Sequence, residues 1–223
     1  MSSRLESATD AFLRLRLGAE RIDDLPLSTV QRAARKADYL LADRSVVLEL
    51  KVLTDARTSG VRRVLDEHRR RFDGASSNGD EAASGARARD ELERRLFAAV
   101  AKSVVSCAES ANEQIAGTTR TFGLHAPLGV LVFANERAEL SEPRLVCAAA
   151  ELALGARKER GGRALPHLDL VLVVTTPADA RGARAVHGVS ADDSQYAERA
   201  ASFARWFEGE WGSGPEWPGA GER

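Results

Sequence analysis

Lysine is almost missing from this chain. It occurs only at positions 36, 51, 102 and 158, although lysine and arginine together number 32 of the 223 residues. Cysteine is confined to Cys107 and Cys147, both in stretches of helical spacing. Two such residues make no disulfide or zinc framework and suit small buried positions in a reducing compartment. Charge of one sign is also lacking: 32 basic against 33 acidic residues leave a net charge of −1, which announces no nucleic-acid binder by itself. No apolar run approaches the roughly 20 residues of a membrane-spanning helix. Residues 1–20 mix arginines and acids with leucines and carry no signal-peptide h-region, so the cytoplasm is the expected compartment. There is no Walker loop, dinucleotide glycine fingerprint or nucleophile elbow, and the four histidines show no metal-ligand spacing.

What is present is a hydrophobic fraction of 43 %, enough for a packed core. Leu5, Ala8, Phe12 and Leu15 recur at helical spacing and predict an opening amphipathic helix. Ser28 followed by Gln31 predicts a capping box on a short second helix. Val61, Val64 and Leu65 mark a helix after position 54, and residues 73–88, without periodicity, read as a mobile loop. A long apolar stripe then predicts a helix from about Arg89 to Gly117. Aliphatic runs at 129–134 and 168–174 are apolar on both faces, as in strands covered by helices on both sides. A helix starting at Pro143 lies between them, and a last one carries Tyr196, Ala200, Phe203 and Phe207 inward. The expected architecture is α/β, a mixed sheet flanked by helices, forming one domain over residues 1–208. Residues 209–223 read as an irregular tail, with Trp206 in the core and Trp211 and Trp217 outside it.

One stretch stands apart. Two apolar runs flank the short polar turn at residues 42–45, the pattern of a β-hairpin. The second run is aliphatic except for Glu49 and Lys51, which period-2 alternation sets on one face. If the turn closes symmetrically on Asp43 and Arg44, Asp38 stands opposite Glu49. Two carboxylates that close repel unless something positive sits between them. Asp38 and Glu49 then make a divalent-metal site beside an amine, suited to a hard cation such as Mg²⁺. The same charges also suit an edge hairpin with a solvated polar face. That pairing would set Lys36 opposite Lys51, so the strand begins after Lys36 or is bulged there.

Asp38, ten intervening residues, then Glu49-Leu50-Lys51 resembles the active-site hairpin of the PD-(D/E)xK, or restriction-endonuclease-like, nuclease superfamily. The resemblance extends to the helix before residues 129–134, where Gln114 matches a glutamine that supports the site in several branches. Ala37 stands where the family's proline would be. The resemblance implies an α-β-β-β-α-β core, a Mg²⁺- or Mn²⁺-dependent phosphodiesterase acting on nucleic acid, and a further acid from the first helix, for which Glu6 or Glu20 is available. It implies metal ligation by Asp38 and Glu49, positioning of the attacking water by Lys51, and support from Gln114.

The function expected is therefore a metal-dependent nuclease, acting on DNA by preference. A non-catalytic nucleic-acid- or protein-binding module on the same fold is the alternative, and an enzyme for small phosphate esters is a third class. Arg57, Arg62 and Arg63, together with Arg69, Arg70 and Arg71, follow the motif strand and suit phosphate contacts, as does Arg120; a solvated helical face explains them equally well. A second copy of the chain or another protein remains open as a partner, and no membrane is expected.

Overall fold

The computed structural model describes residues 4–53, 55–73, 81–135, 142–159, 161–175, 185–191 and 195–213. Six strands form one mixed sheet in the order β1-β2-β3-β4-β5-β6: β1 (Glu20–Arg21), β2 (Tyr39–Leu41), β3 (Val46–Val52), β4 (Leu128–Asn135), β5 (Leu170–Thr175) and β6 (Ala185–Ser190). The pairs β3/β4 and β4/β5 are parallel and the other three are antiparallel. Parallel neighbours need crossovers. Helices α3 (Asp55–Asp73) and α4 (Glu81–Thr121) make the first, and α5 (Pro143–Gly155), opened by Pro143 in its first turn, makes the second.

Alternation along the strands feeds two cores. Leu40, Val47, Leu131, Phe133, Val171 and Val173 point towards Val104, Ile115 and Val146 of α4 and α5. Tyr39, Leu48, Val130, Val132 and Leu172 point the other way, towards α1 (Arg4–Ala11) and α6 (Ala197–Gly212). The central strands are thus buried on both sides, which is why β4 and β5 read as unbroken aliphatic runs. Among the described residues no helix is long and apolar enough to cross a membrane.

Several elements differ from their sequence reading for identifiable reasons. Helix α1 passes into a π-helical turn at Phe12–Arg16, where the Leu17 amide bonds the Phe12 carbonyl at 3.2 Å. The wider turn shifts the inward face by a residue: Leu13 is buried while Leu15, expected inside, is 84 % exposed. Helix α4 begins at Glu81, inside the stretch read as a loop, and runs past Gly117 to Thr121; residues 74–80 lie outside the described residues. At the other end, α6 extends through residues 209–212, where the composition predicts an irregular tail. There the tryptophans exchange roles: Trp206 is half exposed and Trp211 is buried against Phe12, ring centroids 4.7 Å apart at 87°. The helical stripe simply continues one turn beyond Phe207; Trp217 lies outside the described residues. Strand β6 was not anticipated, because Ala185–Ser190 carries a glycine and small residues and lies at the sheet edge.

Because Trp211 ties α6 to the π-helical turn that follows α1, Trp211→Ala is expected to destabilise the protein by about 3–5 kcal/mol. Urea denaturation followed by far-UV circular dichroism measures this, and a change below about 1 kcal/mol would return residues 209–212 to the status of a tail.

Candidate functional site

The hairpin register places the acids. Tyr39 pairs with Leu48, Leu40 with Val47 and Leu41 with Val46, so the next step brings position 38 opposite Glu49. Ala42, Asp43 and Arg44 all take positive φ (49°, 52° and 65°), and the Ser45 amide closes the turn on the Ala42 carbonyl at 3.0 Å. At Asp38 the regular ladder ends. The Asp38 amide bonds the Leu48 carbonyl at 3.2 Å, while the Leu50 amide goes to Asp38 Oδ2 at 2.8 Å. A side-chain oxygen has replaced a backbone acceptor, which fixes the carboxylate in place.

Glu49 and Lys51 share the α4 side of β3, and Gln114 of α4 comes down between them. Lys51 Nζ contacts Glu49 Oε1 and donates to Gln114 Oε1 at 3.1 Å. The Gln114 amide is oriented at its other end, where Nε2 donates to the Lys36 carbonyl at 3.1 Å. Ser110, one helical turn earlier, donates to the same Gln114 Oε1 at 3.0 Å. An ammonium has three N–H donors; two are used here, which leaves one for an incoming group.

Segment 35–37, which leads into Asp38, is clamped onto α4. The Ala37 amide donates to Thr118 Oγ1 at 2.8 Å, and a Cβ at Gly117 would lie 2.1 Å from the Arg35 carbonyl oxygen. This docking takes Lys36 out of line with Lys51. Its Nζ turns back to the Arg32 carbonyl at 3.2 Å, with Asp23 at 3.9 Å, so the strand begins after Lys36.

Electrostatically the pair is under tension. Glu49 is 1 % exposed, and its Oε2 is buried without a hydrogen-bond partner. Burial, then the charge of Asp38, push its carboxyl up to about 7, against the pull of Lys51 and Gln114. Burial also raises Asp38, opposed by the Leu50 amide, the Lys51 charge and the adjoining Glu49, and reinforced by Asp23. Among the described residues, no group of three or more His, Cys, Asp or Glu side chains gathers. Two carboxylates, one with an orphaned oxygen, are hard donors of the kind Mg²⁺ accepts while it keeps several waters.

The structure therefore brings together Asp38, Glu49, Lys51 and Gln114. Arg120 stands apart from them. Arg62 and Arg63 are exposed on α3, about 10 Å along that helix from its start. The side chain of Arg57 lies outside the described residues. Arg120 acts instead on His167, lowered first by burial and then by that charge. The His167 carbonyl crowds Gly129, the partner of Val47. That level lies about 13 Å along the strands from Phe133, which pairs with Lys51. Glu20 is bonded to Arg44 at 2.9 Å beside the turn, and Glu6 sits on α1 across the sheet. The acid that does act on Asp38 is Asp23. It is brought near because β1 extends the sheet and the Ile22 amide reaches the Asp38 carbonyl at 2.9 Å. Two residues of strand gave too short a pattern to reveal this. Ser110 was legible in principle, as the i−4 neighbour of Gln114. Two surface grooves, of about 480 and 300 Å³, border α5 and include none of the four site residues.

Two measurements probe this geometry. Gly117→Ala forces a methyl group against backbone and is expected to cost about 1–3 kcal/mol in denaturant unfolding, loosening α4 from segment 35–37. The second concerns pH. Glu49 is raised from 4.5 to about 7 in the folded state, so the folded protein binds more protons in that window. Its favourable contribution is complete below the unfolded value and is lost as pH rises through about 7. In EDTA, the wild type is expected to lose stability relative to Glu49→Gln across that interval; parallel stability curves for the two proteins would contradict it. No family model, curated protein or solved structure matches the chain.

Proposed function

We propose that this chain is a metal-dependent nuclease, hydrolysing phosphodiester bonds in nucleic acid, DNA by preference, on a restriction-endonuclease-like fold. The observation that supports this most is the convergence of Asp38, Glu49 and Lys51 on one sheet face, with Glu49 Oε2 buried and unpartnered. A buried carboxylate oxygen with nothing to bond is costly unless a proton or cation meets it.

Asp38 and Glu49 would hold the cation, Mg²⁺ or Mn²⁺. Such an ion supplies positive charge to a phosphoryl oxygen and lowers the pKa of its bound water. The rest falls to the protein. The Leu50 amide keeps Asp38 aimed across the hairpin. Gln114 and Glu49 fix the Lys51 ammonium from two sides, so that its remaining N–H can orient the attacking water or a non-bridging phosphate oxygen. Because Gln114 is itself tied to the Lys36 carbonyl, this position is set before substrate arrives.

A second reading is a binding module without turnover. It draws on the contact between Lys51 and Glu49, which already balances one acid internally. The two readings separate on incubating the protein with single- and double-stranded DNA and RNA in Mg²⁺, Mn²⁺ or EDTA. Cleavage in the metal lanes alone is expected, and Glu49→Ala or Lys51→Ala should each reduce it at least about a hundredfold with the fold intact. Full activity in either variant, or binding with no cleavage in any lane, would overturn the nuclease assignment.

A further inference from the structure

The geometry points to Arg35 as a phosphate-binding residue for nucleic acid beside the site, with Glu113 occupying it as an internal substitute for that phosphate. This rests on the nuclease reading for its ligand class, and on none of that reading's chemistry.

Arg35 lies three residues before Asp38, on the segment clamped to α4. Its backbone cannot drift, because Gly117 packs directly on its carbonyl and Ala37 is bonded to Thr118. Its side chain is 55 % exposed and reaches back over α4. There Nη1 pairs with Glu113, and Nη2 donates to Ser110 Oγ at 3.0 Å. Ser110 bonds Gln114 Oε1, which receives Lys51. The guanidinium therefore stands three hydrogen bonds from the ammonium of the candidate site, on an anchored stem. Arg62 and Arg63, by contrast, project from α3, and Arg120 lies at the opposite strand ends.

The partner is what gives the arrangement meaning. Glu113 is 61 % exposed, and ion pairs so open to water contribute little. A phosphate takes two parallel N–H bonds from the same planar fork and releases condensed counterions as it binds. Exchange of Glu113 for a phosphate next to the scissile one is therefore favourable, and removal of Glu113 should make it more so. A purely structural Arg35–Glu113 pair predicts no more gain on that substitution than removal of any other exposed acid of α4 gives.

The test is fluorescence anisotropy with a fluorescein-labelled single-stranded oligodeoxynucleotide in EDTA, over a range of salt. Arg35→Ala is expected to weaken binding about tenfold and to lower the slope of log K against log salt by about 1. Glu113→Gln is expected to tighten binding about threefold. Arg94→Ala removes a more exposed charge from the far part of α4 and should change neither quantity. Unchanged binding in Arg35→Ala, no gain in Glu113→Gln, an equal loss in Arg94→Ala, or a wild type that binds no oligonucleotide would each overturn the assignment. Because metal is absent throughout, a protein that binds as described yet fails to cleave in Mg²⁺ refutes the nuclease reading and not this one.

Discussion

Two carboxylates facing each other under the surface of a sheet set the terms for everything around them. Burial favours the protonated form of both Asp38 and Glu49, and the charge of Asp38 pushes Glu49 further the same way. The surrounding chain answers with the Leu50 amide, the Lys51 ammonium and Gln114. None of these reaches Glu49 Oε2. A protein selected only for stability would do better with an apolar pair at these positions. The tension is a cost in stability that the fold carries at this one place.

Helix α4 is the second consequence of that arrangement. Ser110, Gln114, Gly117 and Thr118 fall on one face at spacings of three and four. In nine residues the helix touches both the strand that carries Lys51 and the segment that leads into Asp38. Apolar packing gives α4 its place in the core through Val104, Ala111 and Ile115. The polar face then converts that placement into a fixed relation between two strands. The site is thus held by the same helix that covers the sheet.

Much of this was legible from residues alone. The hairpin, its register and the shared face of Glu49 and Lys51 follow from period-2 alternation and a symmetric turn, whereas Gln114 is pointed to only by the resemblance to the nuclease superfamily. The capping box at Ser28 formed as written. The α/β architecture followed from β4 and β5, whose aliphatic runs admit only two-sided burial. The rest was hidden for physical reasons. A π-helical turn shifts a helical face without leaving any compositional mark, so Leu15 looked buried. Two-residue β1 offers no periodicity, which concealed Asp23. Arg120 stands apart from Lys51 because the long helix α4 carries it to the opposite strand ends. Arg35 owes its place to a close backbone contact at Gly117, which no pattern of charges encodes.

The four-residue turn at positions 42–45 has a further bearing on how this chain can change over generations. Side chains in a strand alternate sides, so a single insertion or deletion that slipped the β2–β3 register would exchange the two faces. Glu49 and Lys51 would then enter the layer where Leu48 now packs with Val130, Val132 and Leu172, and leucines would replace them beside Gln114. The three left-handed residues, Ala42, Asp43 and Arg44, make that slip difficult. A change in loop length here would carry the acids off the face that α4 covers.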